Sequence, residues 1–141
     1  MIGFDAPSVW KARNRGFSMG TVVSQGHLVH LTGQVAWDAN EQVVGQHNVG
    51  MQTRQCFANI AALLDEVGGS LDDIVNLTTW YTSPDQLAAI QLVRHELLGA
   101  PGPASTSVMV AGLGHRDFLV ELTPVAVIPE DRFRAPTNLE T

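Results

Sequence analysis

The sequence predicts an α+β domain in which a mixed β-sheet carries two helices on one face. Two stretches, 49–67 and 87–97, place apolar residues at helical spacing. The runs before, between and after them are rich in β-branched and aromatic residues, which favour strands. The last run, from Phe118 to Ile128, has an apolar residue at every even position. The predicted order is therefore β-β-α-β-α-β-β.

The N-terminal third is predicted to supply an arm and a hairpin. Residues 1–16 mix charged and aromatic side chains without a period, so they are expected to form an arm without strands. Phe17 to Ser24 and His27 to Thr32 are predicted as paired strands that turn at Gln25-Gly26. The domain proper is predicted to cover 17–128.

Capping signals set the limits of both helices. Asn48 is a candidate N-cap for a long helix that ends at Gly68-Gly69. A strand over 73–82 follows, and Ser83-Pro84-Asp85-Gln86 then forms a capping box with proline at the first helical position. The second helix is expected to stop at Gly99.

The two final strands, 105–111 and 118–128, carry the candidate chemistry. Even positions of the last strand should face the helices, which leaves Glu121 on a half-polar opposite face. In the preceding strand the apolar positions suit the helix side, so three residues are predicted to share the face of Glu121: Ser105, Ser107 and Met109. Because no helix of this chain would cover the apolar part of that face, we expect a partner subunit, with Glu121 beside a cleft between chains. The polar tail, 129–141, is expected to be loose or packed on a neighbour.

Composition excludes several classes of function. The 141 residues carry a net charge of −6 with 8 lysines and arginines, which disfavours nucleic-acid binding. The single cysteine, Cys56, lies on the first helical stripe as a predicted core residue and excludes an intramolecular disulfide or a cysteine-based zinc site. The histidines show no metal-ligand spacing, so neither a metal nor a cofactor is predicted. No apolar stretch reaches about 18 residues and the start lacks signal-peptide features, so we expect no membrane contact and a cytoplasmic location.

Five short segments together resemble one known family over roughly 17–128. They are Thr32-Gly33-Gln34, Asn59 in the first helix, Asp73-Ile74-Val75 with Thr78, Pro103-Ala104, and Val120-Glu121-Leu122. In these the chain resembles the RidA (YjgF) family, also called the endoribonuclease L-PSP family. The resemblance implies a chorismate-mutase-like fold and a homotrimer whose sheets pack into a central barrel. It also implies pockets between subunits that bind a small molecule.

The resemblance also implies a set of site residues. In deaminating members, a glutamate of the last strand positions the water that hydrolyses an imine or enamine to a keto acid and ammonia. That glutamate falls on Glu121, an aromatic pocket residue on Phe17, and an amide on Gln91. Gly33 matches the pocket wall, and Ser107 matches a small residue next to the arginine that binds the substrate carboxylate.

The position of that arginine is Ser105 in this chain. A hydroxyl cannot replace a planar, charged group with two parallel donors, so the usual 2-aminoacrylate deamination is not expected here. Another basic residue would have to meet the substrate charge. Arg94 on the second helix is placed in the predicted pocket for this reason, and the other basic candidates are Arg13, Arg15, His115 and Arg116.

Three functions stay open from the sequence. The first is a hydrolase or deaminase that acts on carbon–nitrogen double bonds, with Glu121 as the catalytic group. The second is a non-catalytic trimer that binds a small ligand or regulates a partner, favoured by the neutral hydroxyls of Ser105 and Ser107. The third is an endoribonuclease or translation inhibitor, which the acidic net charge disfavours.

Overall fold

Residues 1–13 and 15–139 are described by the computed structural model, and this part of the chain forms six strands and two α-helices. In chain order they are β1 (Ile2–Phe4), β2 (Gly20–Val22), β3 (His27–His30), α1 (Val49–Glu66), β4 (Ile74–Tyr81), α2 (Leu87–Leu97), β5 (Ala104–Met109) and β6 (Val120–Ile128). Short 3₁₀ turns, Leu71–Asp73 and Pro84–Gln86, precede β4 and α2. The predicted α+β class is confirmed, with one strand more than expected.

The main sheet has the strand order β3-β6-β4-β5. Strand β6 runs antiparallel to both of its neighbours, whereas β5 runs parallel to β4. A parallel pair needs a crossover connection, and α2 lies within it. The sheet is therefore mixed, as the sequence predicted.

Both helices pack on one face of this sheet and enclose the core. Asn48 caps α1 as predicted, because its side-chain oxygen accepts the backbone N–H of Met51 at 3.0 Å. The buried cluster combines α1 and α2 residues with residues of β4 and β6: Cys56, Phe57, Ile60, Leu64, Ile90, Val93, Leu77, Val120, Leu122 and Ala126. Cys56 is thus a core residue, as expected.

Strand β6 alternates strictly between buried and half-buried residues from Val120 to Ile128. Its even positions face the helices and its odd positions, Glu121 among them, face the other way. The predicted face assignment of this strand is confirmed.

The predicted hairpin of the N-terminal region is wrong. Strand β2 pairs with β1 in a separate two-stranded ribbon, and β3 pairs with β6 instead. The ribbon is tied to the start of β4 by the hydroxyl of Thr21, which donates to the carbonyl of Val75 at 2.9 Å. Residues 1–16 show no strand pattern, so the sequence offers β3 as the partner of β2 and gives no sign of β1. The domain limits of 17–128 stay a prediction.

The C-terminal tail packs on its own chain. Arg132 forms a two-pronged ion pair with the buried carboxylate of Asp73, at 2.9 and 2.5 Å. The ring of Phe133 stacks on His27 with a centroid distance of 3.7 Å, and the Arg134 N–H donates to the Val67 carbonyl at 3.0 Å. Through residue 139 the tail is therefore a strap over the end of α1 on its own chain, whereas its polarity predicts a segment that is loose or packed on a neighbour.

Replacing Arg132 with alanine should loosen this strap. Among the described residues, the substitution leaves the buried carboxylate of Asp73 with only the Ser70 N–H as a partner. We therefore expect the free energy of unfolding to fall by about 1–2 kcal/mol. Thermal unfolding measures the loss, and limited trypsin digestion should show faster cleavage after Arg134. Arg116→Ala, in the exposed loop before β6, is the matched control. Identical melting and digestion of Arg132→Ala and wild type would contradict the role of the strap.

Candidate functional site

The carboxylate of Glu121 lies on the sheet face that the helices leave uncovered. Glu121 is half-buried between Val120 and Leu122, which belong to the core. Across the ladder it is level with Trp80, whose indole N–H donates to the Thr123 hydroxyl at 3.0 Å. The predicted placement of Glu121 is confirmed, and its catalytic role stays a prediction.

Gly33 lies directly against this carboxylate. A Cβ atom at Gly33 would be 3.0 Å from Cδ of Glu121 and 3.2 Å from Oε2, closer than ordinary van der Waals contact. The next residue, Gln34, exchanges two backbone hydrogen bonds with Leu122, at 2.8 and 3.0 Å, which fixes the approach. Glycine at this position therefore lets Glu121 keep its orientation.

Asn59 of α1 holds the segment that contains Gly33. Its amide donates to the carbonyls of Val35 and Trp37, at 3.1 and 2.9 Å. Gly33 and Asn59 also line a cavity of about 530 Å³, whose walls come from residues 32–35, 37–39 and part of α1. A predominantly apolar cavity of this size suits a small ligand, and Gly33 is the residue that the cavity shares with the surroundings of Glu121.

The prediction that Ser105 and Ser107 share the face of Glu121 is wrong. The parallel register puts Ser105 level with Leu77 and Ser107 level with Thr79. Leu77 and Thr79 are fully buried on the helix side of the sheet, so the two serines lie on that side as well. Glu121 is on the opposite side.

The physical reason is that β5 is an edge strand. Its side chains are only partly covered, and Val108 is half-buried on the open face, level with Trp80. Apolar residues of such a strand need not point toward the core, so their alternation does not assign its faces. The same reversal moves Met109 to the helix side, where it remains 53% exposed at the end of the strand.

Ser105 contacts a buried arginine of α2. Nη2 of Arg94 donates to Oγ of Ser105 at 2.7 Å, and only 2% of Arg94 is exposed. Within the described residues, no carboxylate lies within ion-pair distance of Arg94, and its Nε has no hydrogen-bond partner. Burial lowers the pKa of Arg94 below its usual value. Ser105, at the position where the resemblance implies an arginine, thus contacts an arginine of α2.

Phe17 lies near the start of β5. The segment is fixed there because the Ser18 N–H donates to the Pro103 carbonyl at 2.9 Å. The Phe17 ring packs edge-on against Trp10, with a centroid distance of 6.0 Å. Phe17 and His95 line a cavity of about 440 Å³ between this segment and α2.

Gln91 is exposed on α2, one turn before His95. The two residues and Arg15 line a second cavity, of about 320 Å³. His95 therefore belongs to both cavities, and the sequence analysis gave it no role. Its spacing of four residues from Gln91 on one helix face was the available signal.

The seven predicted site residues thus fall into two groups within one chain. On the uncovered face the structure brings together Glu121 and Gly33. Around α2 and the start of β5 it gathers Arg94, Ser105, Phe17 and Gln91, with Ser107 exposed two residues further along β5. The two groups lie on opposite sides of the sheet, so a single chain does not unite them.

The thiol of Cys56 is held in its protonated form. Burial, and to a lesser degree the negative charge of Glu121, raises the pKa of Cys56 to about 12. A thiol of this kind is a poor nucleophile at neutral pH. Cys56 therefore contributes packing to the core, and the negative charge of Glu121 adds to the rise of its pKa.

The described residues contain no group of three histidine, cysteine or acidic side chains that is placed to hold a metal ion. In the same part of the chain, no helix combines the length and apolar character needed to cross a membrane.

Comparison with known proteins gives a consistent result. The family model described as "Endoribonuclease L-PSP" matches residues 12–128. The RutC family protein YjgH of Escherichia coli is 34% identical over 110 residues, which cover 77% of this chain and 81% of YjgH. A protein of Dermatophagoides farinae named 2-iminobutanoate/2-iminopropanoate deaminase is 30% identical over 108 residues, covering 75% of this chain and 82% of that protein.

Solved structures show the same similarity. YyfB from Yersinia pestis, described as a member of the Rid protein family, matches with a TM-score of 0.81 and 30% identity, covering 90% of this chain and 98% of YyfB. RidA from an Antarctic Psychrobacter matches with a TM-score of 0.67 and 27% identity, covering 89% of this chain and 94% of RidA.

The raised pKa of Cys56 predicts a loss of stability at high pH. Below pH 9 both states keep the thiol proton, and between pH 9 and about 12 only the unfolded chain releases it. Stability should therefore fall through this range by about 1.4 kcal/mol per pH unit from this group. Urea unfolding at pH 8 and 10.5 gives the change of the free energy of unfolding with pH, for wild type and for Cys56→Ala. An equal change in the two proteins would contradict the raised pKa of Cys56.

Proposed function

The chain belongs to the endoribonuclease L-PSP family, and we propose on that premise that it hydrolyses a small imine or enamine in a pocket between the subunits of a homotrimer. Water adds to the carbon of the C=N bond, and the resulting carbinolamine collapses to a carbonyl compound and ammonia. An enamine first takes up a proton at carbon to become the imine. The relative of D. farinae that is named an iminobutanoate and iminopropanoate deaminase supports this class of reaction.

The observation that carries the proposal is the environment of Glu121. The carboxylate of Glu121 is half-buried on the uncovered sheet face, level with Trp80 on the neighbouring strand. It lies against Gly33, where the Cβ atom of any larger residue would crowd the carboxylate. Such a carboxylate can accept a proton from the attacking water and return it to the departing nitrogen. In this proposal Glu121 is the catalytic residue, and Gly33 preserves its orientation.

The uncovered face and the division of the site residues support the proposed homotrimer. Leu28 is 63% exposed on this face, and Val125 and Val127 of β6 lie beside it in the ladder. A second copy that covered these apolar residues would also bring a second set of α2 and β5 residues toward Glu121. The cytoplasmic location stays a prediction.

A non-catalytic ligand-binding trimer is the second candidate. The observation that favours it is the separation of Glu121 from Arg94 and Ser105 within one chain. Such a protein would show saturable binding of a small molecule without product, so the assay described next distinguishes the two functions.

Glu121→Gln should abolish turnover while the fold is retained, because the amide cannot accept the proton of the attacking water. The measurement is the release of keto acid and ammonia from 2-iminobutanoate and 2-aminoacrylate generated in the assay. We expect slow hydrolysis of 2-aminoacrylate by wild type, since Ser105 does not supply the arginine of deaminating relatives. Glu66→Gln, at the exposed end of α1, is the matched control. Turnover that persists in Glu121→Gln would refute the proposal, and substrate binding without any wild-type turnover would favour the second candidate.

Gly33→Ala should impair the same reaction through geometry alone. The added methyl group displaces the end of the Glu121 side chain by a few tenths of an ångström, whereas the backbone is not strained. We expect turnover to fall about tenfold or more with stability lowered by less than about 1 kcal/mol, since small misplacements of a catalytic group are costly. Kinetics and thermal unfolding measure the two effects. Full activity in Gly33→Ala would show that the position of Glu121 does not matter.

A further inference from the structure

A cavity lies between α1 and the segment that follows β3, apart from the carboxylate of Glu121. Its volume is about 530 Å³, and the apolar residues that line it include Trp37, Ala62 and Leu63. Leu63 is 40% exposed, so the wall that α1 provides is open to solvent. The cavity has the size and the apolar character of a site for a small molecule.

The walls of this cavity are fixed by contacts within the chain. The amide of Asn59 donates to the carbonyls of Val35 and Trp37, at 3.1 and 2.9 Å. The side-chain oxygen of Asn59 accepts the amide of Gln55 at 2.8 Å. The ring of Trp37 packs edge-on against the buried ring of Phe118, with a centroid distance of 5.1 Å. The cavity is therefore preformed, which lowers the cost of ordering its walls around a ligand.

The negative charge of the cavity comes from Asp38. Among the described residues that line the cavity, Asp38 has the one charged side chain. Its Oδ1 accepts the backbone N–H groups of Asn40 and Gln42, at 2.9 and 3.0 Å, and no hydrogen bond within the described residues runs to its Oδ2. In the same part of the chain, no basic side chain lies within ion-pair distance of this carboxylate. Asp38 therefore favours a ligand that is positively charged.

Two further groups of the cavity favour a cationic donor. The side-chain amide of Gln34 donates to the Thr32 carbonyl at 3.0 Å, which leaves its oxygen as an acceptor. The indole ring of Trp37 has a negative π-face, which attracts cations. Two acceptor oxygens and an aromatic ring are thus available in a wall that is otherwise mostly apolar. This combination fits an ammonium group attached to an apolar body.

We propose that this cavity binds a small primary amine, with the ammonium group at Asp38 and the apolar part against Trp37 and Leu63. The site is separate from the proposed hydrolytic pocket, because Glu121 is not among the described residues that line it. Binding of the amine does not depend on the proposed function.

Gly33 connects the amine site to the carboxylate of Glu121. Gly33 belongs to the cavity wall, and a Cβ atom placed on it would be 3.0 Å from Cδ of Glu121. The next residue, Gln34, exchanges backbone hydrogen bonds with Leu122, which follows Glu121. An amine that shifts this segment also shifts the surroundings of the carboxylate, so the bound amine regulates the proposed hydrolysis. This consequence, unlike the binding, rests on the proposed function.

Calorimetry with 2-phenylethylamine and the neutral 2-phenylethanol on the full chain tests the site. We expect the amine to bind at least about fivefold more tightly than the alcohol, because only the ammonium pairs with a carboxylate and an aromatic face. Asp38→Asn keeps an oxygen for the N–H groups of Asn40 and Gln42, and it should remove this preference. Glu41→Gln, at an exposed position of the same loop outside the cavity, is the matched control. Equal binding of the amine by wild type and Asp38→Asn would overturn the proposal.

Ala62→Phe tests the position of the site. Ala62 lines the cavity and is exposed on α1, so a phenyl group there occupies the cavity without entering the core. We expect 2-phenylethylamine to lose measurable binding while thermal stability is kept. Ala58→Phe, at an exposed position of α1 outside the cavity, should bind like wild type. Unchanged binding in Ala62→Phe would overturn the proposal. It would also be overturned if wild type bound no amine and light scattering showed that Ala62→Phe dissociates an oligomer, since a second copy would then cover the cavity.

Turnover measurements separate this inference from the proposed function. Amine that alters the turnover of wild type but not of Asp38→Asn would uphold both the site and its connection through Gly33. Amine binding that depends on Asp38, in a protein without turnover, would uphold the site and refute the hydrolase. Turnover that depends on Glu121, in a protein that binds no amine, would uphold the hydrolase and refute the site. Amine binding that leaves such turnover unchanged would refute the connection through Gly33.

Discussion

The register of β4 between its two neighbours fixes the sheet faces on which the candidate residues of β5 and β6 lie. On one edge, antiparallel pairing puts Trp80 level with Glu121, and on the other, parallel pairing puts Leu77 level with Ser105. Since side chains alternate along a strand, residues level with Trp80 and residues level with Leu77 must face opposite sides. Glu121 therefore opens onto the uncovered face, whereas Ser105 meets Arg94 of α2. A shift of one residue in either pairing would move the side chains of that neighbouring strand to the opposite face.

This separation has a chemical consequence. The carboxylate and the guanidinium are opposite charges, and in direct contact they would neutralise each other and leave nothing for a ligand. The sheet keeps them apart, so Arg94 has no carboxylate partner among the described residues, and Glu121 remains available on its own face. A site that uses both groups requires them to come from different subunits, which agrees with the apolar residues exposed on the uncovered face. The fold and the proposed assembly thus depend on the same strand register.

Much of this architecture could be predicted from the sequence where side chains are covered on a well-defined face. The caps of α1 and α2, the extent of β4 and the alternation of β6 follow directly from residue types, because burial there is decisive. The pairing and the orientation of the edge strands could not be predicted in the same way. The β1–β2 ribbon and the orientation of β5 depend on pairing between distant segments, and partly exposed strands do not reveal their faces by polarity. Arg94 was recognised as a candidate, but its contact with Ser105 depends on the face of β5 and so could not be inferred.

The central claim is the proposal that Glu121 is the catalytic carboxylate of a pocket completed by a second copy of the chain. A crystal structure of the protein with 2-oxobutanoate tests this most directly. The account predicts a trimer in which the ligand lies between two subunits, with its carbonyl carbon facing the carboxylate of Glu121. A ligand bound away from Glu121, or a chain that stays monomeric, would contradict it.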